Sequence, residues 1–423
     1  MEFKRTILSN GMRVILVPQK DNVAATILVL VEAGSKYETK EINGLSHFLE
    51  HMCFKGTKKR PKAIDIAGAL DGIGAEYNAF TSHEWTGYYA KVQSHKNEEA
   101  LDIISDLYLN PVFDEKEIEK EKGVIIEEIN MYEDIPQRKV NDNFMELLYG
   151  NQPAGWSIAG TKENIRNMTK QDFLKYRGEH YVAGATTLVV AGNFDEDKFL
   201  KKIEEDFSKM PTDKKHGKLK VKESQEKPEV HIQFKESDQT HIILGCRAFS
   251  VEDERKYALD VLGDVLGGGM SSRLFQKVRE ELGAAYYVRA GSDMLSDHGF
   301  FAVSAGVDHA RMDIVIEAIL EELKRTADEE IPAVELQRAK DHLTGRLLLG
   351  LETSDAIANY YGGQEILRQE LKNPEQLIEK INAVTAGEIM EVAKEIFKSE
   401  KLNLALIGPF KEKEKIVNIL NFA

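Results

Sequence analysis

Two histidines and a glutamate lie within five consecutive residues of the chain. His47, Glu50 and His51 read His-x-x-Glu-His inside the segment NGLSHFLEHMCFKG, residues 43–56. At ~100° per residue all three share one helix face, and imidazoles at i and i+4 can bind one metal ion. Two such histidines are more often part of an exposed polar face. The interposed glutamate, however, gives the reversed form of the His-Glu-x-x-His zinc motif, which indicates metal-assisted hydrolysis.

A catalytic zinc site needs a third protein ligand and keeps its fourth position for water. Residues 114–132 predict a helix in which Glu121 and Glu128 fall on the apolar, core-facing stripe. Acids there are expensive unless they are paired or bound to metal. We predict Glu128 as the third ligand, because Glu127 faces elsewhere. Two interpretations of Glu121 stay open: support for a ligand, or a salt bridge to a Lys or Arg at the core edge.

The segment 43–56 itself predicts the helix that must carry the histidines. Asn43 or Ser46 can cap its start, Gly56 can end it, and no proline interrupts about three turns. Its other face carries large apolar residues that would pack into a core: Leu45, Phe48, Leu49 and Met52. The sequence therefore predicts a ligand-bearing helix with one buried and one functional face.

Short β-branched runs and longer amphipathic stretches are mixed along the chain. Residues 24–33 and 184–194 predict buried strands, and residues 97–109 and 170–181 predict helices. This mixture favours an α+β fold of α/β-layered domains, each a mixed sheet with helices packed on one face.

The same order of elements recurs in the second half. TTLVVAGNF, from Thr186, aligns with LNLALIGPF, from Leu402, so that Gly192 meets Gly408. GIGAEYNAF aligns with ELGAAYYVR, which places Tyr77 opposite Tyr286. Ordered agreement at several places indicates duplication. We therefore predict two homologous domains.

A Lys-rich segment separates the two copies. Residues 208–230 have few large apolar side chains and contain Pro211 and Pro228, which is typical of a linker. An anionic docking patch is the alternative, but charge runs are more often solvated connectors. The predicted boundaries are 1–210 for the first domain, 211–229 for the linker and 230–423 for the second domain.

Composition excludes several classes of partner. The 423 residues carry a formal net charge of −15, which disfavours nucleic acid and anionic lipid. No apolar run reaches the ~18–20 residues of a membrane span. Two cysteines cannot form a disulfide framework, and the first residues lack a signal peptide's apolar core. We therefore expect a cytoplasmic protein that binds neither nucleic acid nor membrane.

The segment His47-Phe48-Leu49-Glu50-His51 and the spacing from it to Glu128 carry a family resemblance. With them, the chain resembles the pitrilysin, or insulinase-like, family of zinc metallopeptidases, which includes the mitochondrial processing peptidases. The resemblance covers essentially the whole chain. It implies one Zn²⁺ per chain, held by His47, His51 and Glu128. It also implies that Glu50 is the general base and that Glu121 is a supporting acid.

A second motif lies in the other half, in VREELGAAYYV. Arg279 and Tyr286 match an Arg and a Tyr that the family places in its non-zinc half, where they aid substrate and transition-state binding. From residue type alone, Arg279 would be a surface cation and Tyr286 a core aromatic. Both motifs in one chain favour a self-sufficient enzyme.

Residues 74–92 predict a hairpin whose first strand contains the segment Asn78-Ala79-Phe80-Thr81. In the family the matching strand is a free sheet edge beside the zinc, and an extended substrate pairs with it. Backbone hydrogen bonds would then give affinity for many peptide sequences.

The resemblance implies a zinc endopeptidase that hydrolyses unfolded peptides or presequence-like segments inside a closed chamber. Four such domains form the family's clamshell, so this chain would be half of one and would form a homodimer. The alternative is a non-catalytic scaffold subunit of the same family. The sequence does not separate a processing role from peptide scavenging.

Overall fold

The structure is a computed structural model that describes residues 1–422. Its strands are β1 (Lys4–Ile7), β2 (Arg13–Pro18), β3 (Ala24–Val31), β4 (Glu76–Thr81), β5 (Thr86–Gln93), β6 (Thr186–Gly192), β7 (Glu229–Phe234), β8 (Thr240–Ala248), β9 (Ala285–Met294), β10 (Gly299–Val307) and β11 (Asn403–Gly408).

Helices make up most of the remaining chain. They are α1 (Leu45–Cys53), α2 (Ala63–Gly72), α3 (Asn97–Leu109), α4 (Glu115–Asp134), α5 (Pro136–Tyr149), α6 (Lys162–Asn167), α7 (Lys170–His180), α8 (Glu196–Phe207), α9 (Lys256–Gly267), α10 (Met312–Asp328), α11 (Ala333–Gly350), α12 (Ser354–Ile366), α13 (Pro374–Ala383), α14 (Ala386–Ile396) and α15 (Lys413–Ile419). A π-helical segment spans Phe275–Glu281.

The chain forms two compact units, each built on one sheet. The first comprises Met1–Asn130, Trp156–Leu219 and Leu349–Asn373; the second comprises Met131–Gly155, Lys220–Leu348 and Pro374–Ala423. The contiguous domains 1–210 and 230–423 stay a prediction, because each compact unit also takes in a segment from the other half of the chain.

The two sheets share one topology, which confirms the predicted duplication. The first has the order β1-β2-β6-β3-β5-β4 and the second β7-β11-β8-β10-β9. In each, the β2–β6 or β7–β11 pair is parallel and the following pairs are antiparallel. The first sheet differs by one added edge strand, β1, which pairs antiparallel with β2.

The first sheet is apolar on both faces. Val14 and Leu16 of β2 pack into the main core with α1, whereas Ile15 and Val17 pack on the opposite side with Ile357 of α12. A sheet with two apolar faces needs cover on both. We predicted helices on one face; the second face is covered as well, by a helix from the C-terminal half of the chain.

Polar contacts also attach α12 to the first sheet. The hydroxyls of Ser354 and Thr26 lie 2.8 Å apart. At the other end of the helix, Arg5 donates two hydrogen bonds to Glu365, at 2.7 and 2.8 Å. Both pairs belong to the first unit, so its fold depends on residues far apart in the sequence.

The second unit repeats this arrangement with α5. Leu244 of β8 packs into the main core of the unit, while Ile243 packs on the other face against Phe144 and Leu148 of α5. The helix that covers this face therefore comes from the N-terminal half of the chain.

The Lys-rich segment is mostly exposed, but two of its lysines contact buried acids. Residues 211–226 form neither helix nor strand. Lys215 pairs with Glu32, and Lys218 pairs with Glu84, and both of these acids are buried in the first unit.

The two cysteines are buried free thiols. No helix within residues 1–422 is both long and apolar enough to cross a bilayer.

Candidate metal centre

Helix α1 presents the two faces that its sequence predicts. The apolar side chains Leu45, Phe48, Leu49 and Met52 are at most 1% exposed. His47, Glu50 and His51 are half-buried on the other side. Core packing of the apolar face therefore fixes the rotation of the helix and with it the direction of both imidazoles.

Helix α4 brings the predicted carboxylates to the same place. Ile118, Ile125 and Glu121 are buried along one stripe. Glu128 is half-buried next to this stripe, whereas Glu127 is exposed. The expected difference between the two adjacent acids is confirmed.

Three ligand groups converge between α1 and α4. His47 Nε2 lies 3.7 Å from Glu128 Oε2, and His51 Nε2 lies 3.6 Å from the same oxygen. One ligand atom from each of the three residues lies within 4.8 Å of the other two. Zinc–ligand bonds of ~2.0–2.1 Å place tetrahedral ligands roughly 3.4 Å apart. The donor set and its spacing therefore fit one zinc ion.

Glu121 contacts both a histidine and a lysine. Its Oε1 lies 2.9 Å from His51 Nδ1, and its Oε2 pairs with Lys55 Nζ at 2.6 Å. A carboxylate on Nδ1 fixes the ring and leaves Nε2 for a metal. Burial raises the pKa of Glu121, but the bonds from His51 and Lys55 outweigh it and lower the pKa. Lys55 was not predicted; it lies just beyond the end of α1, four residues after His51, and this short separation in sequence is the signal that could have found it.

The two histidines have different electrostatic surroundings. Burial, aided by the neighbouring His51, lowers the pKa of His47 to about 4. Burial also opposes the charged form of His51, but the bond to Glu121 and the charges of Glu50 and Glu128 raise its pKa. His47 is therefore neutral at pH 7, the form in which histidine binds metal. Its Nδ1 is buried and has no hydrogen-bond partner among the described residues.

Glu50 is held beside the three ligand groups by a strand residue. The hydroxyl of Thr81 donates a 2.6 Å hydrogen bond to Glu50 Oε2. Burial raises the pKa of Glu50, and the bond from Thr81 partly offsets this. A carboxylate with a raised pKa, fixed by one oxygen, suits a general base.

Strand β4 carries the predicted substrate segment at the edge of its sheet. In the described structure β4 comes last in the strand order and pairs with β5 alone. Ala79 is buried, Phe80 and Thr81 are half-buried, and Asn78 is exposed. The predicted hairpin and its free edge are confirmed; peptide binding there stays a prediction.

Arg279 and Tyr286 lie in the second unit. Arg279 is exposed, with its guanidinium carbon 5.0 Å from the centre of the Phe275 ring. Tyr286 lies on β9 and is 66% exposed, so the core-aromatic interpretation of Tyr286 is wrong. Strand β9 ends its sheet as β4 ends the first. The roles of both residues toward the metal centre stay predictions.

The start of α1 differs from its prediction. Its N-cap is Gly44, with φ 102°, which has no side chain to bond the helix. The predicted caps Asn43 and Ser46 are therefore wrong. The carboxylate of Glu38 instead accepts hydrogen bonds from the N–H groups of Gly44 and Ser46. Local sequence gives no signal for an acid so far ahead of the helix.

Comparison with known families matches both halves of the chain. The profile described as "Insulinase (Peptidase family M16)" matches residues 13–162, and the one described as "Peptidase M16 inactive domain" matches residues 167–343. The first match contains His47, Glu50, His51 and Glu128. The second lies outside the metal centre.

Individual relatives are similar over nearly their whole length. An uncharacterised zinc protease of Bacillus subtilis is 38% identical over 410 residues, which cover 96% of this chain and 98% of the relative. A protease from Helicobacter pylori has the same fold, with TM-score 0.89 and 22% identity over 96% of this chain and 99% of that one. A chain of Complex III from Candida albicans also shares the fold, with TM-score 0.86 and 19% identity over 99% of both chains.

Proposed function

Because the chain belongs to the insulinase family of peptidases, family M16, we propose that it is a zinc-dependent endopeptidase. The observation that carries the proposal is the convergence of His47, His51 and Glu128, with Glu50 held next to them. Two imidazoles, which bind metal in their neutral form, and one carboxylate are the ligand set of catalytic zinc sites that leave a position open for water.

Zinc, when bound by these three residues, supplies the Lewis acidity that makes water nucleophilic near pH 7. The protein's own part is proton transfer and orientation. Thr81 occupies Glu50 Oε2, so Oε1 is the oxygen that accepts the proton of the attacking water and returns it to the leaving amine. Glu121 holds the ring of His51 in one tautomer throughout.

The substrate would be an unfolded peptide that adds to the free edge of β4. Backbone pairing with Asn78–Thr81 would fix its register, and Thr81 would link that strand to Glu50. Arg279 and Tyr286 would bind the substrate and stabilise the oxyanion as the two halves close in a chamber. Segments with presequence-like composition are one class of such peptides.

The test is the Glu50→Gln variant. It keeps the size of the side chain and the bond from Thr81 but removes the base. We expect about one zinc per chain by elemental analysis and a loss of roughly 10²–10⁴-fold in hydrolysis of a quenched fluorogenic peptide. Glu127→Gln, the same change at an exposed site, is the control. Undiminished turnover in Glu50→Gln would reject the assignment.

The rival proposal is a non-catalytic scaffold subunit. Its support is the name of the second family profile, "inactive domain", and the shared fold with a chain of Complex III. Against it, His47, His51 and Glu128 lie close enough to share one metal ion, and Glu50 lies beside them with a hydrogen bond from Thr81. A chain that binds no zinc and cleaves no peptide would favour the scaffold.

We also propose that two copies of the chain associate, since the family's chamber needs four domains and this chain supplies two. Multi-angle light scattering on the purified protein should give twice the chain mass of 47.7 kDa. A fully active monomer would overturn this.

A further inference from the structure

The helix that carries His47, Glu50 and His51 begins without a cap from its own sequence. Gly44 is its N-cap, with φ 102°, a conformation that favours glycine. A Cβ at Gly44 would lie 2.7 Å from the carbonyl oxygen of Ala159, so no larger residue fits there. Without a side chain, this position cannot bond the free N–H groups of the first turn.

The carboxylate of Glu38 takes the place of the missing cap. Its Oε2 accepts hydrogen bonds from the Gly44 N–H at 2.8 Å and from the Asn43 side-chain amide at 3.0 Å. Its Oε1 accepts from the Ser46 N–H at 2.6 Å. Both carboxylate oxygens are therefore used at the start of α1, one residue ahead of His47.

Glu38 is an unusual acid for so buried a place. It is 4% exposed, and its partners are amides and a hydroxyl rather than a cation. Burial raises its pKa to about 7, while the bonds from Ser46, Gly44 and Asn43 oppose the shift. A buried acid without a cation is costly. The positive end of the helix dipole and its free N–H groups are what compensate it.

The same region is anchored on two further sides. The hydroxyls of Ser46 and Tyr176 lie 2.8 Å apart. Asn43 donates through its side chain to the carbonyl of Ser157, and its own carbonyl accepts from Asn164. The carboxyl group of Glu38 lies at the centre of these contacts, at the start of the first turn.

We propose that Glu38 is a positioning residue for the metal centre: by holding the start of α1 through Gly44 and Ser46, it sets the place from which His47 reaches Glu128. The inference rests on the proposed zinc site. It assigns to Glu38 an effect on metal binding that does not require contact with the metal.

The experiment compares Glu38→Gln with Glu41→Gln. Glu41 is a fully exposed acid three positions later, so its variant makes the same substitution without touching α1. The amide introduced by Glu38→Gln would keep the shape of the side chain but turn its NH2 group either toward the donors of Gly44 and Asn43 or toward the N–H of Ser46. Zinc affinity is measured by competition with a chelator, and the cobalt-substituted proteins are compared by their visible absorption spectra.

We expect Glu38→Gln to bind zinc about 10–100-fold more weakly, the range typical of residues that orient ligands. Its cobalt spectrum should change, and the Gly44 and Ser46 amides should exchange hydrogen faster. Glu41→Gln should match the wild type. If zinc affinity and the cobalt spectrum of Glu38→Gln equal those of the wild type, the inference is overturned.

A second variant keeps the test decisive where Glu38→Gln does not fold. Asn43→Ala removes one of the three amide donors and should weaken zinc binding by a smaller factor, whereas unchanged affinity would then overturn the inference. A wild-type chain that binds neither zinc nor cobalt would instead overturn the proposed function, and this inference with it.

Discussion

The α1–α4 pair of the first unit and the α9–α11 pair of the second occupy equivalent places in a duplicated fold, but they carry different chemistry. In the first, two imidazoles and a carboxylate converge. In the second, Asp264 of α9 and His342 of α11 are hydrogen-bonded at 2.7 Å. Within the described residues of the second unit, no three potential ligands come within 4.8 Å of one another.

The comparison teaches that the fold and the site are separable. The same strand order and the same helix positions support a cluster of three potential metal ligands in one unit and a hydrogen-bonded Asp–His pair in the other. Burial raises the pKa of Asp264, with the bond to His342 opposing it, so this pair is itself a desolvated polar contact. Function in this fold depends on a few side chains.

Removing the third ligand should have the largest effect. Glu128→Gln leaves the first unit with two imidazoles, a ligand count like that of the second unit. We expect zinc affinity to fall by more than ~100-fold, beyond the range for supporting residues, and peptide hydrolysis to be lost. Equilibrium dialysis with zinc measures this. The control is Asp264→Asn, which should bind zinc like the wild type. An equal loss of zinc affinity in both variants would contradict the proposed difference between the two units.

A smaller loss is expected from Glu121→Gln. The variant keeps the shape of the side chain but weakens its contacts with His51 and Lys55. Zinc affinity should fall by about 10–100-fold, as for other acids that orient a ligand histidine. His342→Ala, which removes the hydrogen bond to Asp264 in the second unit, should leave zinc affinity unchanged. Zinc affinity is measured by competition with a chelator. If Glu121→Gln binds zinc as tightly as the wild type, Glu121 has only a structural role.

Thr81→Val should affect turnover rather than metal binding. It removes the hydroxyl that holds Glu50, and a hydrogen bond to a charged group contributes about 1.5–3 kcal/mol. We expect kcat to fall by roughly 10-fold, with zinc content unchanged and Thr81→Ser restoring the rate. A rise in KM with constant kcat would instead show that Thr81 acts only in substrate binding.

The second unit should respond in stability alone. Burial raises the pKa of Asp260 of α9 from its ordinary 3.8 to about 6, opposed by a bond from Ser292. The folded state therefore binds the proton more tightly, and the favourable contribution present below pH 3.8 is lost as pH rises through 6. Asp260→Asn should stabilise the protein at pH ~8 by at most about 3 kcal/mol, and not at pH ~3.5. Urea denaturation at both values checks this; zinc content should not change.

Periodicity predicted much of the site because packing and chemistry use opposite faces of the same helices. Phe48 and Met52 indicated the buried face of α1, and Ile118 and Ile125 indicated that of α4. The candidate ligands His47, His51 and Glu128 could then be placed relative to those faces. These are local patterns, and short-range sequence contains them.

The parts that sequence did not predict depend on contacts between distant residues. Glu38 caps α1 from outside the helix, and Thr81 reaches Glu50 from another strand. The placement of α5 and α12 was not predicted for the same reason, because the sequence of a helix does not show which sheet it will cover. The continuous apolar run of β2 did carry a signal for two-sided burial.

The central claim is tested most directly by anomalous diffraction at the zinc edge from crystals of the wild-type protein. The account predicts one strong peak within bonding distance of His47 Nε2, His51 Nε2 and a Glu128 carboxylate oxygen. No peak between those residues after growth with zinc, or a peak held by other side chains, would contradict it.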